Sequence, residues 1–379
     1  MSANIQKIVV AVCFVLIAKS YCIAEDQSST DGVLSTIFSE ATFKQHIVFL
    51  ASDHLEGRAP GSEGSAQAAQ YIIDNLTEAG IKPLKKNGKW VQEFPLGAAE
   101  PTTGSVTGKN ILGMLPGRGD LKEEAVIVSA HYDHLGRKSS NGRKPDEDLI
   151  YNGADDNASG VAAVLMIAKA IATQQDQLPK SHRTIIFVLF DAEERGLLGA
   201  KFYVRKHPEW PLNRTAAIIN FDAMGRLRMG KFFASDSETN PVLAKSVRAA
   251  AQKRKLVAET QFGGHGRSDH AVFLDREIPG IHFFTGANPD YHHVTDEWQQ
   301  LNIEGGATIA GIGFEVVQQA ISHPQKLTFH KLNPGFDISF ALNLMQVLGI
   351  VPNVNAQAGD YPEIMFVVPN SPAAKHGLK

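Results

Sequence analysis

Five short apolar runs limit what this chain can become: Asn110–Leu115, Ala125–Ala130, Thr184–Phe190, Ala216–Phe221 and Gly280–Thr285. Each is too short for a free-standing helix, is bounded by turn residues and is continuous rather than alternating. That is the pattern of strands buried on both faces. Helical periodicity fills the intervals at Val161–Thr173, Leu197–Lys206 and Pro241–Arg254, with Val161, Val164, Leu165, Ala168 and Ile171 on one face of the first. Alternation of this kind predicts an α/β fold: a mixed, mostly parallel central sheet with helices on both faces. Two further helices are expected upstream, over Thr42–Leu50 and Gly64–Ala79, around a turn-rich loop at Gly57–Ser62. Lys85–Gly108 reads as an irregular excursion, and Ile303–Ser322 as the last helix.

The first 24 residues have a different character. Lys7 precedes an apolar run from Ile8 to Ala18 and a polar stretch ending Cys22-Ile23-Ala24, the pattern of a secretory signal. The run is about half of the roughly 20 residues needed to cross a bilayer, so no stable membrane anchor is expected. Export places the mature protein in the periplasm or outside the cell. Cys13 and Cys22, the two cysteines, would leave with the signal, and neither thiolate nor disulfide would remain. The division of the chain is then signal 1–24, a main domain 25–322, a linker 323–336 and a short β-rich extension 337–379. A formal charge of −3, spread rather than blocked, excludes nucleic acid and anionic membrane as natural partners. Oligomeric state is not legible.

In an open α/β sheet, ligands bind where loops leave the carboxyl ends of the strands. Those ends carry His131-Tyr132-Asp133-His134, Asp191-Ala192-Glu193-Glu194, Asp222 and, shortly after the last run, Tyr291-His292-His293. Gly153-Ala154-Asp155-Asp156-Asn157-Ala158-Ser159-Gly160 sits before a helix. Carboxylates crowded on one rim would take up protons unless cations compensate. Imidazole with carboxylate suits zinc, and the lack of thiolate argues against a purely structural site. Asp133, two residues after His131, faces the same way if the strand continues and can hold the other imidazole nitrogen. Spacing does not choose between His292 and His293. His282, inside an apolar run, reads as a core histidine.

Five of these blocks, in order, resemble the two-zinc aminopeptidases, metallopeptidase family twenty-eight: His131-Tyr132-Asp133, Gly153–Gly160, Glu193-Glu194 with Gly196 and Gly199, Asn220-Phe221-Asp222, and Asp290-Tyr291-His292 with Asp296. The likeness spans roughly Thr42–Ser322 and implies a zinc-dependent exopeptidase fold of the phosphorylase/hydrolase-like type. It implies two Zn2+ per chain, one held by His131 and Asp222, the other by Glu194 and His292, with Asp155 bridging. The Asp155-Asp156 peptide would be cis. Glu193 would be the general base, Asp133 and Asp296 would support the two histidines, and Ser268-Asp269-His270 matches a recurring family segment. Two divalent cations against three carboxylates leave net positive charge, which favours ionisation of a bridging water. The implied function is a secreted aminopeptidase acting on peptide substrates.

Rival readings are a carboxypeptidase of the same family, gripping a terminal carboxylate through Arg267 or Arg226, a one-zinc glutaminyl cyclase, and a non-catalytic peptide-binding module. The last is supported by Leu348-Gly349-Ile350 and Ser371–Lys379, which resemble parts of a PDZ domain.

Overall fold

The computed structural model describes residues 32–378, apart from 86, 98–105, 139–147, 261–267, 287, 333–349, 353–363 and 368–370. The expected signal, Arg267 and most of the PDZ-like tail therefore lie outside the described residues.

Strands in chain order are β1 (Lys82–Pro83), β2 (Val91–Pro95), β3 (Thr107–Leu115), β4 (Ala125–His131), β5 (Gly136–Arg137), β6 (Ile150–Tyr151), β7 (Thr184–Phe190), β8 (Thr215–Phe221), β9 (Lys231–Ser235), β10 (Val257–Glu259) and β11 (Gly280–Phe284). The main sheet runs β1-β3-β7-β4-β8-β11-β9-β10, with β2 added to β3. Its centre, β7-β4-β8-β11, is parallel throughout. The flanking β3·β7 and β11·β9 pairings are antiparallel, which makes the sheet mixed as expected.

Burial explains why the central strands read as continuous apolar runs. Every residue of β4, β7 and β8 is buried, because helices cover both faces. On one face the almost wholly apolar helix Gly160–Thr173 packs against β4 and against the helix Ile303–Ser322. On the other, Phe190, Ala200, Tyr203, Val204 and Phe273 form a second core with Ile127, Ile186 and Ile218. Side-chain caps fix several helix starts: Ser62 Oγ accepts the Ser65 N–H at 3.1 Å, and Asn302 Oδ1 accepts that of Gly305 at 2.8 Å.

Lys85–Gly108 is not wholly irregular. It contains β2, which pairs antiparallel with β3 from Val91↔Ile111 to Pro95↔Thr107. β2 buries only Gln92 and Phe94, so this edge strand lacks the dense apolar signature of a central strand. Toward the carboxyl end of the chain, Ile350–Pro352 pairs antiparallel with Ile364–Val367. Among the described residues no helix is long and apolar enough to cross a membrane.

Candidate metal centre

Parallel register brings the chemistry to one rim. His131 is the last residue of β4 and pairs with Phe190, the last of β7; Phe221, the last of β8, pairs with Phe283 of β11. The next residues on those strands are Asp191 to Glu194, Asp222, and the loop to His292, so the loop positions are set by strands that end level. Three residues at this rim adopt left-handed backbone although none is glycine: Ala192 (φ 58°) before Glu193, Ala223 (φ 50°) after Asp222, and His292 itself (φ 58°). Such conformations cost about 1–3 kcal/mol each and cluster where function holds them.

Two overlapping groups of metal-ligating atoms result: His131, Asp156 and Asp222, and His134, Asp156 and Glu194. His131 Nε2 lies 3.2 Å from Asp156 Oδ1 and 3.4 Å from Asp222 Oδ1. The other oxygen of Asp156 is 3.2 Å from His292 Nε2, which is 3.0 Å from Glu194 Oε2. The structure thus brings together the expected His131, Glu194, Asp222 and His292.

Asp156, not Asp155, stands between the two poles. The Asp155 carboxylate is spent on protein donors, accepting the Gly225 N–H at 2.6 Å and Asn288 Nδ2–H at 3.0 Å. The cis peptide bond is likewise Asp156-Asn157 rather than Asp155-Asp156. The two neighbouring carboxylates diverge in the turn that Gly153 (φ 56°) opens, and only the second reaches both imidazoles. A Cβ on Gly153 would stand 2.2 Å from the Asp156 carbonyl oxygen and 2.5 Å from the His134 ring, so this turn requires glycine.

Two supporting residues hold different partners from those expected. The Asp133 carboxylate is 3.7 Å from His131 Nδ1, outside hydrogen-bond range, and the nearer oxygen is the Asp133 carbonyl at 3.3 Å. Its carboxylate instead accepts the main-chain N–H groups of Glu193 and Glu194 at 3.0 and 3.3 Å. Asp296 accepts the N–H groups of Asp155 and Asp156 at 3.0–3.1 Å and Arg226 Nη2–H at 3.4 Å, rather than supporting the His292 ring.

His134, singled out in sequence only as a neighbour, is buried with Nδ1 2.7 Å from Glu194 Oε1 and Nε2 without a partner. It offers the second pole an imidazole besides that of His292, and sequence spacing held no signal for it. His282 is largely buried beside His270, with ring centroids 4.7 Å apart, and burial lowers it to about 3, which fits a neutral core histidine. Asp269, of the Ser268-Asp269-His270 segment, is fully buried with both carboxylate oxygens unpartnered.

The electrostatics are those of a site built for cations. Burial lowers and four neighbouring carboxylates raise His131, and the carboxylates prevail, holding it well above the usual imidazole range. Against the opposing effect of burial, Asp156 and Glu194 raise His292 to about 10. Burial holds Glu193 well above the usual carboxylate range; the His131 charge opposes this, and Glu194, Asp269 and Asp222 add to it. The unpartnered Nε2 of His134, together with His131 and His292 among the carboxylates of Asp156, Glu194 and Asp222, forms the imidazole-and-carboxylate donor set that zinc prefers.

Fold and site together define a mixed α/β protein whose sheet ends carry paired candidate metal sites sharing one aspartate. Residues 110–316 match the model of Peptidase family M28, and the chain belongs to that family. Leupeptin-inactivating enzyme 1 of Streptomyces exfoliatus is 30% identical over 251 residues, which are 65% of this chain and 50% of that protein. The chain thus spans about half the length of that curated relative. Among solved structures, the LapA aminopeptidase of Legionella pneumophila superposes with a TM-score of 0.60 at 19% identity, over 79% of this chain and 76% of that one. A glutaminyl cyclase of Porphyromonas gingivalis does so with a TM-score of 0.59 at 20% identity, over 74% and 98%. An aminopeptidase and a cyclase fit equally well, so the fold alone does not select the reaction.

Proposed function

We propose that this protein is a secreted metallo-aminopeptidase that removes the N-terminal residue of peptides. The observation that carries the reading is Asp156, whose two oxygens lie 3.2 Å from His131 Nε2 and from His292 Nε2. One pole would consist of His131, Asp222 and Asp156, and the other of Asp156, Glu194 and either His292 or His134. Two bound zinc ions would supply Lewis acidity toward the scissile carbonyl and increase the acidity of water. Glu193 would accept the proton of the attacking water and deliver it to the leaving amine nitrogen. Asp133 orients that step by holding the Glu193 and Glu194 main chain.

One consideration favours the amino terminus of a peptide over its carboxyl terminus. Arg226, a candidate carboxylate anchor, is already engaged by Asp290 at 2.9 Å and Asp296 at 3.4 Å. The names of the leupeptin-inactivating relative and of the Legionella aminopeptidase agree with peptide substrates. Export rests on the sequence of residues 1–24.

The test is hydrolysis of a panel of aminoacyl anilides by the zinc-loaded protein, with metal content measured on the same sample. Two zinc ions and turnover of unblocked substrates are expected. Free amino acid released from the carboxyl end of N-blocked peptides would replace this reading with the carboxypeptidase. One zinc with cyclisation of N-terminal glutamine would replace it with the cyclase.

A further inference from the structure

His292 is the most exposed of the proposed ligands, with a third of its side chain open to solvent, and it sits in a left-handed backbone conformation. Neither property holds an imidazole in place. Its ring stacks on the adjacent Tyr291 at 3.9 Å between centroids, but Tyr291 belongs to the same loop and cannot fix that loop to the sheet.

Arg226 can. Its side chain is nine-tenths buried, and Nη2 donates to Asp290 Oδ2 at 2.9 Å and to Asp296 Oδ1 at 3.4 Å. These carboxylates lie two residues before and four residues after His292, so one guanidinium nitrogen grips both flanks of the ligand. The grip is anchored at its base. Arg226 N–H donates to Thr285 Oγ1 at 3.0 Å, and Thr285 Oγ1–H donates to the Ala223 carbonyl at 2.7 Å. Its neighbour Gly225 donates to Asp155 at 2.6 Å and accepts from Asn302 N–H at 2.7 Å. Within five residues, one segment carries Asp222 into the first pole, holds the Asp155-Asp156 turn, and clamps the His292 loop.

We propose that Arg226 is a positioning residue that fixes His292, and through it the second metal pole, by bridging Asp290 and Asp296. The proposal rests on the two-pole reading above. Lysine could supply the charge, but as a compact ammonium without the planar array of donors that guanidinium presents. Groups behind a metal-binding imidazole typically contribute about 10–100-fold to metal affinity.

The experiment is calorimetric titration of metal-free protein with zinc, on wild type, Arg226→Met and Asp290→Asn, with the melting temperature of each metal-free sample recorded. Wild type is expected to show two binding events. Arg226→Met should weaken one of them about 10–100-fold and leave the other unchanged, and Asp290→Asn, which keeps the Asp296 contact, should weaken the same event by less. A merely structural role would lower the melting temperature without separating the two events. Two unchanged events in Arg226→Met, or equal weakening of both, overturn the proposal. Should Arg226→Met fail to fold, unchanged affinities in Asp290→Asn do so. A single event in wild type overturns the two-pole reading itself, and the role of Arg226 falls with it.

Discussion

Asp133 accepts the main-chain N–H of Glu193 at 3.0 Å with one carboxylate oxygen, and its other oxygen takes the Glu194 N–H at 3.3 Å. A fully buried side chain thus fixes the backbone of the proposed base and of the proposed ligand beside it. The Glu193 carboxylate is left free for chemistry. Glu193→Gln keeps the shape of the side chain and removes its capacity to carry a proton. It should lower kcat by about 10²–10⁴-fold, while zinc content and melting temperature stay at wild-type values. Normal turnover with normal metal content would show that Glu193 is not the base.

The neighbouring aspartates at 155 and 156 should separate cleanly. Asp156→Asn removes charge at the point shared by both poles and should abolish tight binding at each, read as zinc retained after gel filtration. Asp155→Asn should retain both metals, because the Asp155 oxygens face Gly225 N–H and Asn288 Nδ2–H. Its cost falls on the fold, because the amide nitrogen that replaces one oxygen cannot accept a hydrogen bond, and a lower melting temperature should report it. Loss of both metals in Asp155→Asn with retention in Asp156→Asn would restore Asp155 as the bridge.

That pair shows where sequence reasoning stops. Strand ends are legible because burial on both faces writes a continuous apolar run, and the sequence alone therefore puts His131, Glu193, Glu194 and Asp222 on one rim. The Thr184–Phe190 strand and the Ile303–Ser322 helix fall where periodicity put them. Which of two adjacent carboxylates stands between the imidazoles is set by the turn at Gly153, and composition does not encode it. β2 escaped for a related reason: an edge strand with only two buried residues, Gln92 and Phe94, leaves no apolar run to detect. Asp133 and Asp296 were found as acidic groups near the histidines, but their acceptance of main-chain N–H groups depends on loop paths that residue spacing does not carry.

The Gly153 turn permits a substitution test independent of charge. Gly153→Ala places a methyl group within about 2.5 Å of the His134 ring and closer still to the Asp156 carbonyl, at a left-handed φ of 56°. Neither can yield without moving a proposed ligand. Zinc affinity should fall together with stability, the latter by about 1–3 kcal/mol for the backbone strain alone. Wild-type affinity in a folded Gly153→Ala variant would mean that the turn does not set the position of Asp156.

Away from the metal centre, His46 makes a prediction about acid stability. It is 8% exposed, its Nδ1 lies 2.8 Å from the Tyr71 hydroxyl, and burial lowers it to about 4 against the weaker opposing charge of Glu78. Between that value and the 6.5 of an unfolded chain, the unfolded state binds a proton that the native state does not. Stability from this group is therefore complete above pH 6.5 and declines as pH falls toward 4, by at most about 3 kcal/mol. Denaturant unfolding of the metal-free protein at pH 7 and at pH 5, in wild type and His46→Gln, isolates the effect. The variant should be less stable at pH 7 and should lose less on acidification. An equal loss in both proteins would mean that His46 titrates as freely in the native core as in the unfolded chain.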